Sequence, residues 1–320
     1  MNSLFMNWFG LTVPILQAPI AGAATVELAT AVGRAGALGS LALSWPEAQA
    51  GLRDATELKT RKIPFFTNFV LRFPNEALPL IIALGVPAVT FSWGVDEALV
   101  ARVKASGAKV GVQVGSKAGA QTALKAGADF IIVQGMEAGG HVQSSTPLQK
   151  LLAGVVAIAG AVPVIAAGGI ADARGAAAAM RQGAQGVMMG TRFLATQESG
   201  AHELYKQALV KATAGDTSLT NCFDIGWPYA MHRVLRNSTF EMWEAAGSPA
   251  APNRPGEGDV VASSGPTQLL RYFDSSPPQD ATGDVLATCL YAGTGVDHIN
   301  AVEPAGALVT RLWTETQKLL

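Results

Sequence analysis

The chain has 320 residues, of which 49% are hydrophobic and 15% charged, with a formal net charge of −1. This length suits one large domain or two ordinary ones, and the apolar content excludes a globally disordered chain. The balanced charge, without long basic or acidic runs, argues against nucleic acid or an anionic membrane surface as partners and favours a small molecule.

The first ten residues carry no basic residue ahead of an apolar core, so they are not predicted to be a secretory signal. The two cysteines, Cys222 and Cys289, form neither a metal-ligand cluster nor a disulfide framework. Two buried thiols in a reducing compartment are the simplest interpretation. We therefore expect a cytoplasmic protein.

Short apolar runs alternate with alanine-rich stretches from Val13 to about Leu209, a pattern typical of βαβ units around a parallel sheet. Eight strands are predicted, at 13–20, 37–43, 64–70, 88–92, 109–114, 129–134, 162–167 and 186–189. Eight helices are predicted between and after them, at 25–34, 46–58, 76–84, 96–105, 116–126, 146–159, 172–181 and 199–210. Eight βα pairs predict an α/β fold, a (β/α)8 TIM barrel. An open doubly wound sheet is disfavoured because no G-x-G-x-x-G turn follows the first strand.

Residues 151–171 are almost all apolar or glycine, a run long enough to raise the question of a membrane span. Pro163 and the pair Gly168–Gly169 interrupt this run. A buried helix followed by a buried parallel strand explains the pattern better, so no membrane partner is expected.

The βα rhythm ends near Lys211, and residues 248–278 are rich in Pro, Gly and Ser. This predicts two parts: a barrel formed by 1–210 and 300–320, and a mostly helical or irregular substrate lid formed by 211–299. A final helix at about 301–319 is expected to pack back on the barrel.

Glycines stand where the seventh and eighth predicted strands end: Gly168 and Gly169 after one, Gly190 and Thr191 after the other. In TIM barrels the active site lies at these strand ends, and the last two loops often bind phosphate. Glycine lets the backbone approach a phosphate closely, but a glycine pair equally makes a tight βα turn, so spacing leaves both interpretations open. Arg192 is expected to form a structural ion pair.

The sequence QGMEAGGH, from Gln134 to His141, directly follows the sixth predicted strand. It places one histidine on a loop over the barrel mouth, where imidazole could serve as a general base or hydrogen-bond donor, although a lone loop histidine is often merely exposed. His202, His232 and His298 are expected in surface or packing positions. The sequence predicts no metal site and has no G-x-S-x-G, P-loop or C-x-x-C motif.

At these segments the chain resembles the nitronate monooxygenase family, formerly called 2-nitropropane dioxygenases, which includes flavin-type enoyl-ACP reductases and NADH:quinone reductases. The matching stretches are PILQAPIAGAATVELATAVGRAGALGSL from Pro14, VQGMEAGGH from Val133 and PVIAAGGIADARGAAAAMRQGAQGVMMGTRFLATQES from Pro163. Together they extend over the predicted barrel from Pro14 to Ser199.

The resemblance implies that the protein binds FMN, with the phosphate at Gly168, Gly169, Gly190 and Thr191. The cofactor site that it implies consists of Ala18, Pro19, Ile20, Asn68, Gln113, Gln134, Gly139, Gly140, Ala167, Gly168, Gly169, Gly190 and Thr191. His141 would be the catalytic residue, deprotonating a nitroalkane or orienting a nitronate.

The implied reaction oxidises alkyl nitronates with O2 to carbonyl compounds and nitrite, and the use of neutral nitroalkanes stays open. Two alternatives stay open: an NAD(P)H-dependent reductase of quinones or enoyl thioesters, and a non-catalytic flavin-binding barrel. The use of NAD(P)H and the formation of a homodimer also stay open.

Two stretches depart from the family pattern. Val142 to Ser145 follow the histidine where relatives often have a basic residue or glycine, and Gly226 to Arg233 replace a G-R-P-A-R-like stretch. Both fall on the predicted substrate side and leave the flavin side unchanged. Trp227 and Trp243 could line a lid, lie at a dimer interface or pack in a core.

Overall fold

The computed structural model describes residues 3–320. Eight parallel strands form the main sheet: β1 (Ile15–Gln17), β2 (Gly39–Ala42), β3 (Phe65–Val70), β4 (Ala88–Ser92), β5 (Lys109–Val114), β6 (Phe130–Gln134), β8 (Val164–Ala167) and β9 (Gly186–Met189). They are hydrogen-bonded in the order β1-β9-β8-β6-β5-β4-β3-β2, and a parallel bridge between Leu16 and Leu38 joins the two ends. The predicted TIM barrel is confirmed, and the observed strand ends fall within three residues of the predicted ones.

Helices follow the barrel strands and cover the outside of the sheet: α2 (Val26–Arg34), α3 (Ala48–Thr60), α4 (Leu78–Leu84), α5 (Glu97–Ala105), α6 (Lys117–Lys125), α7 (Leu148–Ala159), α8 (Ala173–Arg181), α9 (Thr191–Leu194) and α10 (Glu203–Lys211). Thr25, Asp96, Ser116 and Asp172 cap the starts of α2, α5, α6 and α8, where each side chain accepts a hydrogen bond from a backbone N–H three residues later. These capping residues explain why the helix starts could be located from sequence.

A short helix that was not predicted, α1 (Leu4–Phe9), closes the amino-terminal end of the barrel. Phe5 is fully buried, and its ring centroid lies 5.2 Å from that of Phe130 at the start of β6. The apolar cluster inside the barrel consists of Phe5, Met6, Leu11, Leu16, Leu38, Phe66, Ala88, Phe130, Ile132, Ile165, Ala167 and Met188. Because this end is filled with apolar side chains, polar ligands have to bind at the carboxyl ends of the strands.

The region 211–299, predicted to be mostly helical or irregular, is largely irregular as predicted, but it is not mostly helical. Among the described residues of this region the one α-helix is α11 (Ser238–Ala245), and the other elements are chiefly strands of two three-stranded antiparallel sheets. One sheet joins β7 (Gly140–His141), β10 (Thr217–Thr220) and β11 (His232–Leu235), and the other joins β12 (Val260–Ser264), β13 (Thr267–Leu270) and β14 (Thr282–Gly283).

These short strands are stabilised by their pairing, which local sequence does not reveal. β11 pairs with β7 from the barrel loop, so its partner lies far away in the chain. The β12–β13 hairpin turns at Gly265, whose φ of 53° suits glycine. The abundance of Pro and Gly therefore marked turns between strands as well as irregular chain.

The final helix, α12 (Ala305–Leu319), packs back on the barrel as expected. It begins after Pro304, four residues later than the predicted start at 301. Leu308 and Leu312 belong to the same buried apolar cluster as Leu28 of α2 and Ala176 of α8.

The apolar run at 151–171 is divided between α7 and β8, as expected. None of the helices in the described part of the chain has the length and apolar character needed to cross a bilayer. Cys222 and Cys289 are both free and buried.

Candidate functional site

The loops after β1, β8 and β9 meet at one side of the barrel mouth. The Ala18 N–H donates to the Met189 carbonyl oxygen over 2.9 Å. A Cβ built on Gly190 would lie 3.6 Å from the Ala18 Cβ and 3.8 Å from the Ile20 Cδ1. The structure thus brings together the ends of β1 and β9, and Ala18, Pro19, Ile20, Gly190 and Thr191 are all half-buried there.

The pair Gly168–Gly169 has a structural reason to be glycine. Their φ angles are 112° and 70°, in the region that disfavours other residues. A Cβ on Gly169 would lie only 2.8 Å from the Glu137 Cβ, and one on Gly168 would lie 3.1 Å from the Gly135 backbone. The tight-turn interpretation that the sequence left open therefore holds for this pair, whether or not it also contacts a ligand.

Gly190 differs from that pair because the fold does not require a glycine there. Its φ is −103°, and an added Cβ would make only ordinary van der Waals contacts. Thr191, the next residue, accepts a hydrogen bond at Oγ1 from the Gly293 N–H over 2.9 Å. A glycine that neither conformation nor packing demands is a candidate for close approach of a ligand to the backbone.

Residues 292–295 cross the mouth beside these glycines and were missed by the sequence analysis. The Thr294 N–H donates to the Glu137 carbonyl oxygen over 3.0 Å. A Cβ on Gly139 would lie 2.5 Å from the Gly293 nitrogen, and one on Gly295 would lie 2.3 Å from the Gly169 oxygen. The closely spaced Gly293 and Gly295 were the available signal of this close backbone packing.

Gln134, at the end of β6, fastens the loop that carries the histidine. Its Nε2 donates to the His141 carbonyl oxygen over 3.2 Å, and its Oε1 accepts from the Gln143 N–H over 2.8 Å. The Glu137 carboxylate accepts from the Leu148 N–H over 2.9 Å, which caps α7. Two polar residues of the QGMEAGGH motif thus have structural roles that fix the position of His141.

Further polar side chains form a layer between the apolar floor and the mouth. Asn68, only 6% exposed, accepts at Oδ1 from the Thr90 hydroxyl over 2.9 Å. Gln17, fully buried and not predicted, accepts at Oε1 from the Ser40 N–H over 2.8 Å. Gln113 lies half-buried near the end of β5. Ala167 is buried at the end of β8, so the predicted site residues from six strands lie toward one end of the barrel.

His141 lies on β7, half-buried among aromatic rings. Its ring centroid lies 4.3 Å from that of Trp227 with an interplanar angle of 31°, 5.4 Å from His232 and 5.5 Å from Tyr291. Its Nε2 atom is buried and has no hydrogen-bond partner within residues 3–320. The flanking Gly140 has a φ of 76° and no atom within 4 Å of a built Cβ.

Burial, and to a smaller extent the neighbouring His232, lowers the pKa of His141 from its ordinary value of 6.5 to about 3. The charged form is disfavoured because the surrounding rings exclude water. At neutral pH the imidazole is uncharged. It can accept a proton or a hydrogen bond, but it is not a fixed positive charge.

His232 is buried and lies directly opposite His141 in the β7–β11 register. Its Nε2 accepts from the Phe223 N–H over 3.2 Å, which assigns the proton to Nδ1, 2.9 Å from the Ala230 oxygen. Burial lowers its pKa to about 4. The packing role expected for His232 is correct, but no sequence pattern indicates that it lies beside His141.

The other basic and imidazole side chains singled out in the sequence have structural roles. Arg192 is buried and forms an ion pair with Glu303 over 2.9 Å, as expected. His202 accepts at Nδ1 from the Leu204 N–H over 3.1 Å and caps α10. His298 is largely exposed.

Four aromatic residues, Trp45, Phe73, Trp93 and Trp227, form what we call the aromatic cluster. The first three follow β2, β3 and β4, and Trp227 comes from the segment before β11. Ring centroids are 5.4 Å apart for Trp45 and Phe73, 4.9 Å for Phe73 and Trp227, and 4.7 Å for Trp93 and Trp227. The strand order places the loops after β3 and β4 across the barrel from β8 and β9, while the loop after β2, which carries Trp45, adjoins β1.

Residues 75–315 match the family model described as nitronate monooxygenase. A nitronate monooxygenase from Pseudomonas aeruginosa is 31% identical over 306 residues, covering 80% of this chain and 86% of the relative. A (3aS,4S,5R,7aS)-5-hydroxy-7a-methyl-1-oxo-octahydro-1H-indene-4-carboxyl-CoA dehydrogenase from Mycobacterium tuberculosis is 35% identical over 242 residues, covering 74% of this chain and 66% of the relative.

Two solved structures resemble the chain over almost its whole length. FabK from Thermotoga maritima aligns with a TM-score of 0.82 and 29% identity, covering 99% of this chain and 97% of that one. A nitroalkane oxidase from Streptomyces ansochromogenes aligns with a TM-score of 0.79 and 28% identity, covering 99% of both chains.

Proposed function

The chain belongs to the nitronate monooxygenase family, and from this premise we propose that it is an FMN-dependent enzyme that oxidises alkyl nitronates with O2. The products are a carbonyl compound and nitrite, and neutral nitroalkanes are substrates once an α-proton is removed. The observation that carries the proposal is His141, an uncharged imidazole whose buried Nε2 has no hydrogen-bond partner in the described part of the chain, at the same barrel end as Gly190.

The residues at the ends of β1, β8 and β9 fit FMN. Gly190 is the key observation. A Cβ at this position would lie beside Ala18 and Ile20 at ordinary contact distances, so the fold itself does not require a glycine there. The backbone of Gly168, Gly169, Gly190 and Thr191 would hold the phosphate, with donors from N–H groups rather than from charged side chains. The flavin ring would lie against residues from the ends of five strands and the loop after β6: Ala18, Pro19, Ile20, Asn68, Gln113, Gln134, Gly139, Gly140 and Ala167.

FMN, when bound, supplies the electron transfer between nitronate and O2. His141 contributes proton transfer. Its uncharged imidazole can accept the α-proton of a nitroalkane, and the nitronate that forms carries a negative charge that raises the pKa of the imidazole and retains the proton. Gln134 holds the His141 backbone, which keeps the ring oriented toward the substrate.

An aerobic assay without NAD(P)H tests this proposal. FMN-loaded protein should consume O2 and release nitrite when ethyl nitronate is added. A protein that holds FMN but shows neither O2 uptake nor nitrite with ethyl nitronate or longer alkyl nitronates would contradict the proposed activity.

A second candidate is a flavin-dependent reductase or dehydrogenase of acyl thioesters. The Mycobacterium tuberculosis relative is by name a carboxyl-CoA dehydrogenase, and the aromatic cluster gives this mouth an apolar wall that would suit a bulky acyl group. Rapid anaerobic bleaching of the bound flavin by NADH or NADPH, followed by reoxidation with an enoyl thioester or a quinone, would favour this candidate over the first.

A further inference from the structure

The Trp227 side chain covers the imidazole that the proposed function requires. The two rings are nearly stacked, at 4.3 Å and 31°, and the His141 Nε2 is buried without a hydrogen-bond partner among residues 3–320. The indole therefore occupies the space over one face of the imidazole. A substrate that lies over this face of His141 has to displace the Trp227 side chain.

The space that the indole would leave is bounded by flat aromatic surfaces. Trp93 lies 4.7 Å from the Trp227 ring and Phe73 lies 4.9 Å from it, while His141 forms the base. Phe73 and Trp93 belong to the loops after β3 and β4, which are distant in sequence from the segment that carries Trp227. Aromatic rings attract other rings in stacked or edge-on geometry, at centroid separations like those seen here.

The segment that carries Trp227 has features of a movable element. Gly226 has a φ of 108°, and Tyr229, with a φ of 65°, is 91% exposed. Half-buried Trp227 thus lies in a turn between Gly226 and an exposed tip. In such loop segments a few residues can absorb a change in φ and ψ.

We propose that the substrate carries a planar aromatic or conjugated ring, which replaces the Trp227 indole between His141, Trp93 and Phe73, and that Trp227 is a specificity-determining gate. The inference rests on the proposed function for the reactive group of the substrate, an aryl-substituted nitronate. A short alkyl nitronate pays the same cost of displacing Trp227 but cannot restore the lost ring contacts. The ring-bearing substrate is therefore preferred.

Binding of two carboxylates to the FMN-loaded protein tests this without turnover. Benzoate and acetate both mimic the planar anionic head of a nitronate, and only benzoate carries a ring. By isothermal titration we expect the Kd for benzoate to be at least about tenfold lower than that for acetate. Equal affinities within about twofold would overturn the proposal.

The Trp227→Ala variant tests whether the Trp227 side chain blocks the binding space, as a gate, or lines it, as a wall. Removal of the gate should tighten benzoate binding several-fold and should raise kcat/KM for both phenylnitromethane anion and ethyl nitronate by a similar factor. Trp8→Ala, at the opposite end of the barrel, is the matched control and should change neither. Weaker benzoate binding in Trp227→Ala would make Trp227 a wall and overturn its role as a gate.

Trp93→Ala removes one side of the slot, by which we mean the space between His141, Trp93 and Phe73. The ratio of kcat/KM for phenylnitromethane anion to kcat/KM for ethyl nitronate should fall by about tenfold, because KM for the aryl substrate rises. An unchanged ratio would contradict the slot. Failure of the proposed function would look different. A preference for benzoate without oxidation of either nitronate would support the slot and reject the nitronate-oxidising activity. Oxidation of both nitronates at equal kcat/KM would support the activity and reject the slot.

Discussion

The two sides of the barrel mouth are built in different ways. On the side of β1, β8 and β9 the candidate cofactor site is made of backbone, from short runs of consecutive residues such as Gly168–Gly169 and Gly190–Thr191. On the other side the aromatic cluster is made of side chains that come from three barrel loops and the segment before β11. A backbone site leaves a signal in local sequence, whereas a side-chain cluster assembled from distant positions leaves almost none.

The glycines of the candidate cofactor site are of two kinds: some are required by the fold, and one is not. Gly168 and Gly169 are required by their positive φ and by close packing, but Gly190 is required by neither. His141 lies next to the aromatic cluster, and its pKa is lowered because the rings around it exclude water. Substitutions can test each side separately.

The largest effect is expected for His141→Ala, which removes the group that links the two sides. Turnover of neutral nitroethane should fall by about 10²- to 10³-fold, since general-base catalysis contributes factors of this size. Turnover of preformed ethyl nitronate should fall by about tenfold or less, because no α-proton has to be removed. Steady-state kcat/KM for both substrates measures the difference.

His298→Ala, at an exposed histidine, is the control for that experiment and should match the parent protein. Equal losses with nitroethane and ethyl nitronate would argue against proton abstraction by His141. No loss with either would favour a barrel that binds flavin without using this histidine.

Gly169→Ala should destabilise the fold by about 3 kcal/mol. The substitution forces alanine into a left-handed conformation and places its Cβ 2.8 Å from the Glu137 Cβ. Chemical denaturation of the FMN-free protein measures this. A free energy of unfolding equal to that of the parent protein would mean that the packing of this pair is looser than described.

Gly190→Ala should weaken FMN binding by at least about tenfold, roughly 1.4 kcal/mol, with little change in folding stability. The added methyl group makes only ordinary contacts in the protein, but it would stand where the backbone meets the phosphate. Fluorescence titration of the FMN-free protein measures the Kd. Gly154→Ala in α7, whose Cβ meets nothing closer than 4.0 Å, is the matched control. Unchanged FMN affinity in Gly190→Ala would remove the main support for this phosphate site.

The effect expected to be smallest at neutral pH is a pH dependence of stability that belongs to the aromatic side. The folded-state pKa values of His141 and His232, about 3 and about 4, lie below the ordinary value of 6.5. On acidification the unfolded chain therefore binds protons first, and stability falls as the pH falls from about 6.5 toward 4. Each histidine contributes a slope of about 1 kcal/mol per pH unit in this range.

Denaturation between pH 4.5 and 6.5 checks this, since His232→Gln should remove one of the two contributions while His298→Gln removes none. An unchanged slope in His232→Gln would show that its imidazole is protonated in the folded protein. It would also contradict the water-excluding environment described for the aromatic side.

Much of the barrel could be predicted because its signals are local. Strands at 88–92, 109–114 and 186–189 were placed at their observed ends, since apolar β-branched runs bounded by glycine turns define them. The helix caps were equally local. The short helix α1 was overlooked although Ser3 and Gly10 provide a cap at each end, and its packing against Phe130 depends on closure of the barrel.

The site was predicted in part for the same reason. His141 and the glycines stand next to strand ends, where a barrel places functional groups. The proximity of His232, Tyr291 and Trp227 to His141 follows from the pairing of β11 with β7 and from the return of residues 292–295 across the mouth. These are long-range contacts, so neither hydrophobic periodicity nor residue spacing contains them.

The absorption spectrum of the FMN-loaded protein during anaerobic addition of ethyl nitronate distinguishes nitronate oxidation from reduction of the flavin by NAD(P)H. Ethyl nitronate alone, without NADH or NADPH, should bleach the visible flavin band, and O2 should restore it. A band that is unchanged by ethyl nitronate but bleached by NADH or NADPH would contradict the proposed nitronate oxidation and assign the barrel to a reductase.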